Sequence, residues 1–209
     1  MSNIVSDNKI YYKRPMDIAA SSLGLVALSP VFLAIAAAVK IDDKGPAIFK
    51  QKRLTKDGKV FEIYKFRTMK VNAEDEGPAV HNEADDERVT GVGRFLRKSH
   101  LDELPQLWNV LRGDMSIVGP RPELPELTEL YCKDVPGFRD RLQAKAGLTG
   151  YAQVYCRNND DPAEKLKYDL EYIANMRLAW DVKIIFATFK MVLLKNEPNS
   201  KEANRMSTL

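Results

Sequence analysis

Between Asp17 and Lys40 the chain carries no charged residue, and a serine-proline pair interrupts the run near its middle. Residues 18–39, IAASSLGLVALSPVFLAIAAAV, would span about 33 Å as one straight helix, close to the hydrocarbon thickness of a bilayer. A buried helix of a soluble domain has a shorter run with polar breaks, and a signal peptide starts earlier and ends at a clear cleavage site. Pro30 removes one helical hydrogen bond and clashes with the preceding turn, so the helix kinks or breaks there. The freed carbonyl is costly in hydrocarbon, and the neighbouring Ser29 hydroxyl can help satisfy it. Lys13 and Arg14 precede the run; Lys40 and Lys44 follow it, diluted by Asp42 and Asp43. Basic flanks favour the cytoplasmic side, and here both ends carry them. A helix that enters, breaks at Ser29-Pro30 and returns to the same face accounts for both features. A kinked single pass is the alternative that charge and proline leave open.

With 209 residues, 44% hydrophobic and 29% charged, the remainder is long and apolar enough for one ordinary domain. The net charge of +3 is far from the basic excess that nucleic-acid binding usually leaves, so no nucleic-acid partner is expected. Cys132 and Cys156 do not suggest a disulfide framework and read as buried filler.

After the apolar run, AIFKQKRL and KVFEIYKFRTM flank Asp57-Gly58 and predict a β-hairpin. Lys65 and Arg67, two residues apart, lie on one side of that extended chain, as functional cations or a solvated edge. Residues 71–93, rich in acids, read as a solvated loop. In GRFLRKSHLDELPQLWNVLRGDMSIVGPRP, Leu104, Leu107, Trp108 and Leu111 follow helical spacing. Ser99 is compatible with an N-cap and Pro105 with a first helical turn, which sets Asp102 and Glu103 at or beside a helix N-terminus. Gly113 stops that helix, and residues 119–122, Gly-Pro-Arg-Pro, form a rigid non-helical turn. Helices are expected at 124–133, at 163–176 capped by Asp161, and at 179–195. The last has a broad apolar face of Val182, Ile185, Phe186, Phe189, Val192 and Leu193, suited to a core or to a headgroup layer.

Adjacent buried carboxylates raise each other's pKa, and a helix N-terminus, a metal ion or nearby basic residues relieve that cost. Arg94, Arg97 and Lys98 precede the pair; Arg112 and Arg121 follow it. A carboxylate nucleophile with a divalent ion and arginines on phosphate is a workable layout for phosphoryl transfer. An Asp-Glu pair that merely favours a helix start is the plainer reading for an arbitrary chain.

In their combination and order, Lys13-Arg14…Asp17, Ser29-Pro30, YKFRTM, the long LRKSHLDELPQLWNVLRGDMSIVGPRP stretch, GLTGYAQV and Trp180-Asp181 resemble the bacterial sugar transferase family of monotopic phosphoglycosyl transferases. The likeness covers residues 13–194 and, with no long run of transmembrane helices before it, is to the small, minimal form. The resemblance implies transfer of a sugar 1-phosphate from a UDP-sugar to undecaprenyl phosphate through a phosphosugar on Asp102, with release of UMP. It implies Glu103 as the Mg²⁺ residue and Arg97 as a phosphate contact, with Lys65 and Arg67 as further phosphate candidates. Asp102, Asp169 and Asp181 complete the acids expected near the metal, and Arg121 and Arg157 are the nucleotide candidates. Cys156-Arg157-Asn158 departs from the family's Gly-Arg-Asn, which bears on the role given to Arg157. The resemblance also favours the re-entrant topology, on the cytoplasmic face of a bacterial inner membrane, among membrane lipids.

The expected fold is therefore α+β and mostly helical: a re-entrant membrane helix, a small β-hairpin and interfacial amphipathic helices. Residues 1–44 form the N-terminal segment with the membrane helix at about 13–40, 45–195 the catalytic domain and 196–209 a polar tail. The rival from another class is a noncatalytic membrane-anchored module whose basic residues bind anionic lipid.

Overall fold

The computed structural model describes residues 11–73, 86–156 and 161–194. The apolar run is two helices, α1 (Lys13–Ala27) and α2 (Ser29–Asp42), bent by 62° at Leu28. Pro30 has no N–H for the carbonyl of Val26, and the Ser29 hydroxyl donates to that carbonyl at 2.8 Å instead. Among the described residues no single helix is long and apolar enough to cross a membrane; α1 and α2 meet that length and composition only together.

Both ends of the bent pair are tied to the rest of the chain. At the start, Lys13 Nζ donates to the Val118 carbonyl (2.9 Å), to the Tyr172 hydroxyl (2.7 Å) and to Asp181 Oδ2 (2.8 Å). Arg14 donates from its two Nη atoms to the carbonyls of Val110 and Leu111, both at 2.8 Å. Asp17, buried, accepts from the Ile117 N–H and the Ser116 hydroxyl. At the far end, Asp42 accepts from the Val92 N–H at 2.8 Å. Asp43 accepts from the Val71 N–H and from Arg67, whose second Nη bonds the Asp43 carbonyl. The charges that flank the apolar run are thus docking groups within the fold.

Strands β1 (Ile48–Leu54) and β2 (Val60–Phe66) form the expected antiparallel hairpin, with Leu54 opposite Val60 and Ile48 opposite Phe66. Asp57 (φ 60°) and Gly58 (φ 71°) both take the left-handed conformation that an Asp-Gly turn supplies. Helix α3 (Gly91–Ser99) follows, capped by the Thr90 hydroxyl, which accepts from the Gly93 N–H. A short 3₁₀ turn, Leu101–Glu103, leads into α4 (Gln106–Arg112), which Gly113 ends at φ 95°. Here the structure corrects the local reading. Ser99 closes α3, its hydroxyl donating back to the Phe95 carbonyl, and does not cap the next helix. The last three residues of the stretch read as an acidic loop, 91–93, are the first turn of α3.

The second half of the chain adds β3 (Ser116–Val118), α5 (Pro125–Asp134), β4 (Gly147–Thr149), α6 (Tyr151–Tyr155), α7 (Pro162–Ala174) and α8 (Leu178–Leu194). β3 and β4 pair in parallel, a second small sheet that three-residue strands gave no periodicity to reveal. Asp161 caps α7 as expected, accepting from the Ala163 and Glu164 N–H groups. One core gathers Phe61, Val110, Met115, Val118, Tyr151, Tyr172, Trp180 and Ile184 from both halves. A second joins Ile35 and Val39 of α2 to Ala47, Phe66 and Leu96, with Phe32 and Phe66 ring to ring at 5.6 Å. On α8 the buried face is Trp180, Asp181 and Ile184, while Phe186, Phe189 and Leu193 are 70%, 62% and 76% exposed. Most of the apolar face read from the sequence therefore lies on the surface rather than in the core.

Asn109 fastens α4 to the hairpin: its Oδ1 accepts from the Tyr64 N–H (3.0 Å) and its Nδ2 donates to the Glu62 carbonyl (2.7 Å), with no exposed surface. Asn109→Ala removes both contacts and leaves two part-buried backbone groups unmet. The expected loss is about 2–4 kcal/mol, measured by denaturant unfolding in detergent; a loss within experimental error would contradict this packing.

Candidate active site

Asp102 and Glu103 lie in the 3₁₀ turn between α3 and α4. Leu101 and Leu104 on either side pack against the core formed by α2, β2 and α3, which fixes the turn. His100 enters it at φ 57°, a left-handed conformation that costs a non-glycine residue roughly 1 kcal/mol. The helix after the pair is the one Pro105 foretold, with Pro105 as its N-cap.

The two carboxylates have different surroundings. Glu103 Oε1 accepts from Lys65 Nζ at 2.8 Å and from Arg121 Nη2 at 3.0 Å, while Glu103 Oε2 is left out of both pairs. The Asp102 carboxylate takes its own backbone N–H, and among the described residues no hydrogen bond or ion pair to another side chain. Burial pushes both carboxyls up. At Glu103 the adjacent Arg121 and Lys65 outweigh burial and hold the group well below the usual carboxylate range. At Asp102 burial wins over the more distant Lys65, with the Glu103 charge adding to it, and the carboxyl is raised. Arg121 is itself raised by Glu103, and its side chain remains 40% exposed, so it can grip Glu103 and still meet a ligand.

The structure brings together four of the residues singled out from the sequence: Asp102, Glu103, Lys65 and Arg121. Others have partners elsewhere. Arg97 donates through Nε to the Thr68 hydroxyl at 2.9 Å. Arg67, buried, clamps Asp43 at the end of α2. Asp169, fully enclosed, pairs with Arg141, and Asp181 with Lys13, Tyr12 and Tyr172. Among the described residues no group of three or more His, Cys, Asp or Glu side chains could hold a metal ion, so the four acids do not gather into one ligand set. Arg157 lies outside the described residues. Sequence reasoning missed Arg141, whose links are to residues far along the chain, and Asn109, which looked like any polar helical position.

Adjacent carboxylates that environment drives apart can take separate tasks. A desolvated, unpaired carboxylate is a capable nucleophile, and two cations a side chain away suit an anionic electrophile such as a phosphate. Glu103, pinned by one oxygen, offers the other to a hard cation.

Residues 8–195 match the family model described as bacterial sugar transferase. The chain is 46% identical to the UDP-glucose:undecaprenyl-phosphate glucose-1-phosphate transferase of Klebsiella pneumoniae, over 85% of this chain and 39% of that protein. It is 41% identical to the UDP-N-acetylgalactosamine-undecaprenyl-phosphate N-acetylgalactosaminephosphotransferase of Aeromonas hydrophila, over 88% and 44% respectively. It is 39% identical to the undecaprenyl-phosphate galactose phosphotransferase of Salmonella typhimurium, over 93% and 43%. The chain thus spans less than half the length of each of these relatives.

Opposite shifts predict opposite stability effects. Glu103, held low, contributes stability that is present above its unfolded value and lost as pH falls through the folded one. Asp102, held high, costs stability once ionised, a cost incurred as pH rises from the ordinary aspartate value through the raised one. Near neutral pH, Glu103→Gln should therefore lower the unfolding free energy by about 1–3 kcal/mol, and Asp102→Asn should raise the melting temperature. Calorimetry or thermal-shift measurement in detergent checks both; the reverse order would contradict the site geometry.

Proposed function

The chain belongs to the bacterial sugar transferase family, and on that premise we propose that it moves a sugar 1-phosphate from a UDP-sugar to undecaprenyl phosphate through a covalent phosphosugar on Asp102. The observation that carries this reading is the asymmetry of the pair: Glu103 is held by Lys65 and Arg121, and Asp102 is held by no other side chain among the described residues.

In the first half-reaction a carboxylate oxygen of Asp102 attacks the sugar-bearing phosphorus. The bond from that phosphorus to the bridging oxygen breaks, and its electron pair leaves with UMP. In the second, a phosphate oxygen of the lipid attacks the same phosphorus and restores the Asp102 carboxylate. Lys65 and Arg121 balance the charge that gathers on the phosphate oxygens. Arg97, whose Nε bonds the Thr68 hydroxyl, is the further phosphate contact through its Nη groups.

Glu103 and Asp102 are the residues that would hold Mg²⁺. The fit rests on Glu103 Oε2 and the Asp102 carboxylate, which stand outside the Lys65 and Arg121 pairs, and on the habit of Mg²⁺ to take one or two carboxylates with water and substrate phosphate. A bound ion supplies charge neutralisation for the diphosphate. Asp169 and Asp181, closed into ion pairs, serve the site through its framework.

The membrane reading is re-entrant and monotopic, on the cytoplasmic face of the bacterial inner membrane. It is supported by the ties at both ends of the bent pair: Lys13, Arg14 and Asp17 at one end and Asp42 and Asp43 at the other bond one folded body. A single pass would carry those ends to opposite sides of the bilayer. The exposed Leu23, Val26 and Leu33 of the pair would lie in hydrocarbon, with Phe186, Phe189 and Leu193 of α8 at the headgroup level.

Three relatives with three different sugars in their names leave the donor sugar to a screen of UDP-sugars for UMP release. With the accepted donor, Asp102→Asn should reduce release by about 10³-fold or more; normal turnover would refute the assignment. The acid limb of the pH profile should lie above the ordinary aspartate range, because burial raises Asp102. Lys65→Met should move that limb to still higher pH, since the Lys65 charge lowers the Asp102 value; no movement would count against Asp102 as the titrating group. For topology, Tyr11→Cys and Lys44→Cys should react with an impermeant maleimide from the same side of inner-membrane vesicles. Labelling from opposite sides would exclude the re-entrant path.

A further inference from the structure

Residues 119–123 carry Arg121 to Glu103 without a helix or strand of their own, so something must hold their backbone. Four successive carbonyls each accept a hydrogen bond from a distant part of the chain. Pro120 takes the Gly147 N–H (2.9 Å), Arg121 takes Arg141 Nη2 (3.0 Å), Pro122 takes Arg53 Nη1 (3.2 Å) and Glu123 takes the Leu54 N–H (3.0 Å). Only one of these donors acts on Arg121 itself, and it belongs to a buried arginine.

Arg141 is 2% exposed. Its Nε and Nη2 meet Asp169 Oδ2 at 2.8 and 2.6 Å, its Nη1 faces Glu123 Oε1 at 3.4 Å, and its guanidinium lies over the Phe138 ring at 5.0 Å. Lys165 Nζ reaches the same Glu123 oxygen at 2.8 Å. Two cations and two carboxylates thus close a neutral buried cluster. Such clusters add little net stability over an apolar core, so the geometry that this one imposes is the feature to account for. The planar fork of an arginine suits that task, because one group can bind a carboxylate and still aim an N–H at a carbonyl.

We propose that Arg141, held by Asp169 and Glu123, is a positioning residue for the transfer reaction: it fixes the backbone of Arg121 so that the Arg121 guanidinium stays on Glu103. This rests on the function proposed above only for its kinetic consequence; the contact between Arg121 and Glu103 can be read without any turnover. It gives Asp169 a role in the reaction at second hand, through Arg141 and the Arg121 carbonyl.

Arg141→Lys keeps a positive charge for Asp169 but lacks the fork to serve the Arg121 carbonyl as well. In the full-length protein in nanodiscs, a structure of this variant should show the Arg121–Glu103 pair opened beyond hydrogen-bonding distance. UMP release should fall by about 10- to 100-fold, as expected when a reacting group is displaced by roughly 1 Å. In an Arg121→Met background the same Arg141→Lys change should cost less than about threefold, because the group it positions is gone. An Arg121–Glu103 contact preserved in the variant would overturn the proposal, as would equal losses from Arg141→Lys in both backgrounds, which is the behaviour of a merely structural residue. If Arg141→Lys fails to fold, Asp169→Asn, which loosens the hold on Arg141 with little change of shape, takes its place in the same cycle. An opened contact and a background-dependent loss then support the proposal, and a preserved contact or equal losses overturn it. A wild-type chain that releases no UMP from any donor would refute the proposed function, and the contact measurement would still decide the role of Arg141.

Discussion

Pro30 cannot donate to the carbonyl of Val26, and the Ser29 hydroxyl does so in its place at 2.8 Å. That substitution lets an apolar run long enough to cross a bilayer turn by 62° without leaving an unmet carbonyl at the bend. The two halves can then lie on two different parts of one body. α1 packs on α4, where the absence of a side chain at Gly24 makes room for Leu107. α2 packs on α3 and on Phe66 of the hairpin. The short turn joining α3 to α4 is the one that carries Asp102 and Glu103. The bend thereby places each half of the pair against one flank of the candidate site.

The carboxylate pair shows how position separates neighbours of nearly equal chemistry. Both are partly buried, both sit in one 3₁₀ turn, and both feel Lys65. Glu103 is one methylene longer and reaches Lys65 and Arg121; Asp102 does not. From that difference follow a low value for one and a raised value for the other, and with them the proposed tasks of ion binding and attack. Arg121 is presented by a segment whose carbonyls are held one by one, and the strand that leads into it is held by Lys13 and Asp17 of α1. The bent helix pair and the candidate site thus share a hydrogen-bonded framework.

Much of this was legible in local pattern. The break at Ser29-Pro30, the Asp57-Gly58 hairpin, the cap at Asp161 and the stop at Gly113 are written in residues whose backbone preferences act within one turn. The gathering of Lys65 and Arg121 around the acids was approached through the family likeness and the basic neighbourhood rather than through spacing. What escaped the sequence turns on a choice between equivalent local partners or on distant ones. The Ser99 hydroxyl could accept from the N–H groups of the next helix or donate back into its own, and it donates to the Phe95 carbonyl. The apolar face of α8 is the same in sequence whether it meets core or surface, and only the placement of Trp180 and Ile184 decides. Lys13 and Asp181, 168 residues apart, carry no local sign of each other.

In the proposed reaction Asp102, and not Glu103, carries the transferred group. Incubation with a UDP-sugar labelled at the sugar-linked phosphate, with no lipid acceptor, followed by rapid proteolysis and mass spectrometry, tests this at the level of the residue. One hydroxylamine-sensitive acyl phosphate is expected, mapped by fragmentation to Asp102 and retained, though formed more slowly, in Glu103→Gln. A label on Glu103, or turnover of donor and lipid with no labelled peptide at any time, would contradict it.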